Sequence, residues 1–435
     1  MSHLFIAYGP DDLDALLRVH ETLRQASVPT WYSPKNSDAD ASSPVVLDAI
    51  DDAFGMVVLV SASSMRSKAV KAQLQRAIDR NLTLFPVRVD NGRLSKLFKS
   101  ALADKLTDGI DEEGALTRLV GQVRQRYQKR CPVIAVMNLK GGVGKTTVSA
   151  QVFGAWQAAL GGRTLLVDLD PQYNLTQTFF SMNVADAFSE QDRSVISLFE
   201  RSQLHAKDLS SPAENWSRIR VDPFPPANQE QICHNLLTSG GPAGRLDLIS
   251  GQFEISKYAF APNPESLAAV GANFRRMIDF YRSNYDLIVF DTNPNATFLT
   301  RCALEAADRV LVPMHTDMYS LRGVRLLHQV ITDQVPAAVR PDLSVLFNAV
   351  SRSEQSDFEA DARNGAFDKA AGFKLSQTLM THALPKSAHL NVRSPEPESS
   401  PWQQLLIHKG RGGGLRSIRE TLTSVAQELR DLVEG

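Results

Sequence analysis

The sequence predicts an α/β protein built as two parallel-sheet, three-layer domains in series. Three observations carry that reading. Short apolar strands alternate with amphipathic helices over residues 1–110, and a second alternation begins at Val133. The second opens with a glycine-rich turn between an apolar run and a helix-compatible run. At 435 residues, the chain also exceeds the length of one ordinary domain.

In the first segment, His3 to Tyr8 reads as a strand, and Asp11 to Ala26 as a helix carrying Leu13, Leu16, Leu17, Val19 and Leu23 at helical spacing. Val28 to Tyr32, Met56 to Ser61 and Leu82 to Val89 read as further strands, with helices over Val45 to Ala53 and Ser67 to Asn81. Four strands separated by helices imply a parallel sheet covered on both faces, a small flavodoxin-like layer structure. Residues 111–131 read as a charged helical linker with Leu116, Leu119, Val120, Val123 and Tyr127 along one face. Residues 132–435 form the second domain.

Composition points to a globular protein, with 43% hydrophobic and 22% charged residues and a net charge of −1. Near-neutrality argues against a surface that coats nucleic acid as a whole, while leaving room for a local basic patch. Cys131, Cys233 and Cys302 are odd in number and lack CxxC spacing, so they suggest neither a disulfide framework nor a zinc site. No apolar run approaches the roughly 20 residues of a spanning helix, and the expected location is cytoplasmic.

The stretch Asn138-Leu139-Lys140-Gly141-Gly142-Val143-Gly144-Lys145-Thr146-Thr147 carries the chemistry. Glycines let backbone N–H groups close around phosphate oxygens, and the following helix directs its positive end at them. Lys145 supplies a charge for the outer phosphates, and the Thr146 hydroxyl a ligand for Mg²⁺. The general expression G-x-x-x-x-G-K-[ST] is not met, because its first glycine falls at Leu139.

Lys140 ahead of Gly-Gly-Val-Gly-Lys-Thr-Thr instead resembles the deviant Walker motif of the ParA/MinD ATPases. Asp168-Leu169-Asp170-Pro171-Gln172 is similar to that family's first switch, and Tyr285 to Thr292 to its second. Asn293 stands where the family usually has proline. Ala307 to Pro313, with Leu321-Arg322-Gly323, resembles the next strand and helix. The resemblance implies a P-loop NTPase fold that binds ATP and Mg²⁺, with Gly141, Gly142, Val143, Gly144, Lys145, Thr146 and Thr147 around the nucleotide. It further implies Asp170 orienting the attacking water, and Thr146, Asp168 and Asp291 around the metal. A capping role is the alternative for Asp168 and Asp170. Lys140 would reach across an ATP-dependent homodimer to the partner's phosphates, with slow hydrolysis stimulated by an activating protein. Asn348 matches the place of an adenine-binding asparagine, with a structural cap as the alternative.

Lys409, Arg411, Arg416 and Arg419 are candidates for nonspecific DNA contacts, against a solvated loop. Such binding would associate the protein with the nucleoid. The helix Ser417 to Val433 carries Glu428 and Asp431, with Glu434 just beyond. An anionic bilayer would repel these, so the helix is expected to pack on its own domain rather than on a membrane.

The first domain resembles a TIR domain in Phe5-Ile6-Ala7-Tyr8, Val28-Pro29-Thr30-Trp31-Tyr32, Val57-Val58-Leu59-Val60-Ser61 and Leu84-Phe85-Pro86-Val87. NAD-cleaving members carry a glutamate where this chain has Gln73. An amide cannot serve as general acid or base, which implies an interaction module capable of TIR–TIR contacts rather than an NADase. The leading expectation is a ParA-type ATP-dependent switch in DNA or cargo partitioning or positioning. The alternative is a defence or signalling protein in which the ATPase clusters the TIR domain.

Overall fold

The computed structural model describes residues 3–434 except 27, 35–42, 52, 81, 91, 93, 103–108, 113, 206–217, 223, 239–243, 262, 352–354, 391–394, 397–398 and 410–412. The chain divides into two compact units, Met1–Lys129 and Arg130–Gly435.

In the first unit, β1 (Leu4–Ala7), β2 (Thr30–Trp31), β3 (Gly55–Val60) and β4 (Thr83–Arg88) form a parallel sheet in the order β2-β1-β3-β4. All six residues of β3 are buried, as expected of a central strand with helices on both faces. Strand alternation sends Ile6, Val57 and Leu59 to one core and Phe5, Met56 and Val58 to the other. Leu16, Val19 and Leu23 of helix Leu13–Gln25 cover the first face, while Val70 and Leu74 of helix Lys68–Asp79 cover the second. Helix Ala115–Arg130 places Leu119 and Val123 in the first of these cores, so it packs on this sheet.

The second unit contains β5 (Val133–Val136), β6 (Arg163–Asp168), β7 (Cys233–Thr238), β8 (Arg245–Ile249), β9 (Leu287–Asp291), β10 (Arg309–Met314) and β11 (Asp342–Phe347). They form one sheet in the order β11-β10-β5-β9-β6-β8-β7, in which β7 alone runs antiparallel. The segment Gln231 to Leu237, which reads as a short helix in sequence, is corrected by the structure. The helix is Gln229–Ile232, and the chain then turns into β7. β7 has a bulge between Asn235 and Leu237 and no clean alternation, so its strand character comes from pairing with β8 rather than from propensity.

Helix Lys145–Leu160 is buried from Val148 to Gln157, on more than one face. The reason is the C-terminal helix Gly413–Glu434, whose Leu422, Val425 and Leu429 join Val152, Phe153 and Trp156 in one core. The apolar stripe of that last helix is thus spent inside its own domain, as expected. Among the described residues no helix is long and apolar enough to cross a membrane. All three cysteines are free and buried, and burial pushes each thiol's pKa up.

Candidate functional site

Parallel strands deliver their C-terminal ends to one edge, where α/β sheets place ligands. β5 leads into the glycine turn, β6 ends at Asp168, and β9 ends at Asp291, with Asp168 and Asp291 directly paired in register. A cavity of about 570 Å³ opens there. It is lined by residues of the glycine turn, among them Gly142, Gly144, Lys145 and Thr146, by Asp170 and Asn174, and by residues of the segments around Asn293–Leu299 and Phe253–Phe260.

The turn itself is shaped for anions. Gly142 and Gly144 have φ of +76° and +85°, and among the described residues the N–H groups of Gly142, Val143 and Gly144 form no hydrogen bond. A side chain at Gly144 would be strained by its φ, and its Cβ would also lie 2.3 Å from Asn348 Nδ2. Lys145 opens the helix with its Nζ donating to Lys140 O at 3.3 Å; burial lowers its pKa, so an anion in the cavity would be a favourable partner.

Asp291 is fully buried and accepts from Thr146 Oγ1 at 2.9 Å and Ser149 Oγ at 2.8 Å. Burial raises its pKa against the pull of those two hydroxyls. Asp168 is raised too, by burial and then by Asp291. Its Oδ2 accepts from both the N–H and the hydroxyl of Thr176 at 2.8 Å, and its Oδ1 from Asp170 N at 3.2 Å. It pins the start of helix Asn174–Phe179. Asp170 faces the cavity, and its carboxylate accepts from Gln172 N at 2.9 Å and Asn174 Nδ2 at 3.4 Å.

The raised Asp291 pKa has a consequence for stability. Its ordinary value is 3.8 and its folded value about 7, so between those pH values the folded state holds a proton that the unfolded state releases. Stability from this group is therefore highest at the acid end and falls as pH rises through about 7. Asp291→Asn keeps an acceptor for one of the two hydroxyls, offers an N–H donor to the oxygen of the other, and removes the buried charge. It is expected to raise the nucleotide-free melting temperature at pH 8 by roughly 2–4 °C, and to flatten its pH dependence. Calorimetry across pH 5 to 8 checks this, and an unchanged or lower melting temperature contradicts it.

Lys140 does not point into the glycine turn. Its Nζ is held by Asp317 Oδ2 at 3.0 Å, Asp317 Oδ1 at 3.1 Å and Ser320 Oγ at 2.9 Å. Hydrogen bonds from Ser320 N–H and Lys140 hold the Asp317 pKa below its usual value, although burial acts the other way. Asp317 caps helix Met318–Gln334, which approaches the turn closely. A Cβ at Gly323 would lie 2.5 Å from Asn138 Oδ1, the atom that accepts from Lys140 N at 2.9 Å.

Asn348 sits behind the turn, its Nδ2 donating to Val143 O at 2.7 Å. At Asn293, Oδ1 accepts from Asn295 N at 3.4 Å, so the residue that replaces proline makes a turn of its own. Ser149, Asp317, Ser320 and the Phe253–Phe260 wall were not anticipated. Ser149 lies one helical turn beyond Thr146, the one sequence signal that points to it.

The C-terminal basic residues are not gathered into one described cluster. Arg416 pairs with Glu420 at 2.9 Å, Arg419 Nε donates to Leu406 O at 3.1 Å, Lys409 is exposed, and Arg411 lies outside the described residues. In the first unit, Gln73 is 1% exposed on the inner face of its helix.

Residues 131–345 match the AAA domain family, and residues 4–120 the TIR domain family. The chromosome-partitioning ATPase Soj of Thermus thermophilus is 31% identical over 215 residues, which cover 49% of this chain and 66% of that protein. The sporulation initiation inhibitor protein Soj of Bacillus subtilis is 27% identical over 203 residues, 45% of this chain and 62% of that one. The matched segment thus spans about two thirds of these relatives' length. The solved structure of pNOB8 ParA aligns with a TM-score of 0.50 and 20% identity, covering 70% of this chain and 97% of that one. The protein therefore belongs with the ParA-type P-loop ATPases and carries an amino-terminal TIR domain.

Proposed function

We propose that the protein is an ATP-hydrolysing switch that dimerises with ATP bound and acts in DNA or cargo partitioning or positioning. The observation that carries this is the convergence of one cavity edge: unpaired N–H groups of Gly142 to Gly144, Lys145, the Thr146–Asp291 pair and Asp170. That donor set fits a triphosphate with its metal, because amide and ammonium donors suit phosphate oxygens while hydroxyl and carboxylate oxygens suit Mg²⁺.

Thr146 and Asp291 would hold Mg²⁺, with Asp168 behind them holding the switch segment that starts at Asp170. The ion supplies charge neutralisation at the phosphates. The chain's own residues do the rest: the glycine turn fixes the phosphates, Lys145 neutralises them, and Asp170 orients water. Lys140, released from Asp317 and Ser320, becomes available to a second copy. Its release is a population shift that ATP drives only through differential affinity for the two states.

Lys409, Arg411, Arg416 and Arg419 remain our candidates for nonspecific DNA contacts, and DNA binding would place the protein on the nucleoid in the cytoplasm. An activating protein would set the hydrolysis rate. The TIR domain serves as a contact module whose local concentration follows the dimer. Buried Gln73 in place of a carboxylate supports a role without NAD cleavage, so incubation with NAD is expected to release no nicotinamide; release above a buffer blank would restore the signalling alternative.

The deciding experiment measures ATPase rate with and without DNA, together with molecular mass in ATP and in ADP. Doubling of mass in ATP alone, with salt-sensitive DNA binding, is the expected result. A protein that neither hydrolyses ATP nor changes mass overturns the proposal.

A further inference from the structure

A second cavity, of about 560 Å³, lies among helices Pro264–Arg282, Phe298–Ala306 and Met318–Gln334. Its volume falls in the range of about 300–1,000 Å³ typical of small-molecule pockets. Three features define what it would accept. Leu267, Leu304, Val330 and Val335 make much of its wall apolar. Gly271 adds no side chain to the wall, and Cys302 Sγ and the Phe298 ring lie 3.5 Å from where a Cβ would sit.

The third feature is charge. Arg275 and Arg301 both pair with Glu305, the latter at 2.7 Å. Among the lining residues, two guanidiniums therefore face one carboxylate. The Glu305 side chain is 10% exposed, whereas those of Arg275 and Arg301 are 39% and 62% exposed. The guanidiniums keep donors toward solvent, and the site has one positive charge in excess. A second anionic group would complete a two-by-two network, in which planar guanidinium forks suit a carboxylate or sulfonate.

The cavity also shares Thr297 and Phe298 with the first one. Phe298 stands against Tyr258 of the nucleotide wall, ring centroids 5.5 Å apart, and opens the helix that follows Asp291 to Asn295. We propose that this second cavity binds a small organic anion with an apolar body, seated by Arg275 and Arg301, and that its occupancy is coupled to the nucleotide cavity through Thr297 and Phe298. The assignment of an anion site here stands whatever ligand the first cavity takes; only the coupling rests on the nucleotide reading above.

The test uses the full chain and two fluorescent probes of the same shape: anilinonaphthalene sulfonate, which carries the anion, and phenylnaphthylamine, which does not. Ala268 is an exposed lining residue, so Ala268→Trp plugs the cavity without disturbing a core. This variant is expected to abolish saturable binding of both probes. Arg301→Gln is expected to weaken the sulfonate about five-fold, the upper end of a screened ion pair, and to leave the neutral probe unchanged. Unchanged sulfonate binding to either variant overturns the site, as does an equal loss of both probes in Arg301→Gln.

Coupling is read by repeating the sulfonate titration with a non-hydrolysable ATP analogue whose own binding is checked by calorimetry. A shift in Kd of about five-fold is expected. No shift with the analogue bound overturns the coupling alone, whereas an analogue that does not bind overturns the nucleotide reading and leaves the anion site standing.

Discussion

Lys145→Ala is expected to abolish ATP binding in a titration with a fluorescent ATP analogue, and with it all hydrolysis. The side chain is 8% exposed at the start of its helix, and its charge is disfavoured by burial until an anion arrives. Removing a preorganised charge of this kind typically costs about 10²–10³ in rate before any loss of binding is counted. The fold should survive, because among the described residues the ammonium's hydrogen bond, to Lys140 O at 3.3 Å, is long. An unchanged melting temperature with lost binding is therefore the expected pair of results. Binding retained within about three-fold would remove Lys145 from the site and the phosphate reading with it.

Asp170→Ala separates binding from hydrolysis. The carboxylate faces the cavity and takes its described hydrogen bonds from Gln172 and Asn174, so ATP is expected to bind and the ATP-bound dimer to persist. Single-turnover hydrolysis should fall by about 10²–10⁴, the usual contribution of a positioned acid–base or water-orienting group. Asp170 also accepts from Gln172 N and Asn174 Nδ2, so alanine could act by loosening the loop. Asp170→Asn resolves that, since its amide oxygen preserves the bond from Gln172 N. Equal loss in both variants assigns the effect to the carboxylate. Recovery of wild-type rate in the asparagine variant would make Asp170 a turn residue, the capping alternative.

The two proposals meet at Phe298. It lines both the first cavity and the second. A packed ring between two sites transmits a change only if it has two arrangements, and the reciprocal shift in probe and nucleotide affinity is the measure of that.

How much of this was legible in the residues differs by feature. The strands with continuous apolar runs, such as Gly55–Val60 and the first four residues of Leu287–Asp291, declare themselves, because a strand buried on both faces reads as a near-continuous apolar run. The glycine turn declares itself as well, since φ of +76° and +85° beside a helix start is backbone that glycine adopts without strain. β7 was hidden. Its six residues mix Cys, His, Asn and Thr with two leucines, and only the edge of β8 makes them a strand.

Sequence alone determined the two α/β units, the glycine-rich turn and the carboxylates at the strand ends, because those depend on local periodicity and on backbone freedom within a few residues. Only the tertiary structure decided what those groups touch. Lys140 meets Asp317 and Ser320 from 177 and 180 positions away, Asn348 reaches Val143 O across 205, and Asp291 collects the hydroxyls of Thr146 and Ser149. Contacts of that separation are set by how strands are ordered in the sheet, and a pattern read along the chain contains no term for that order.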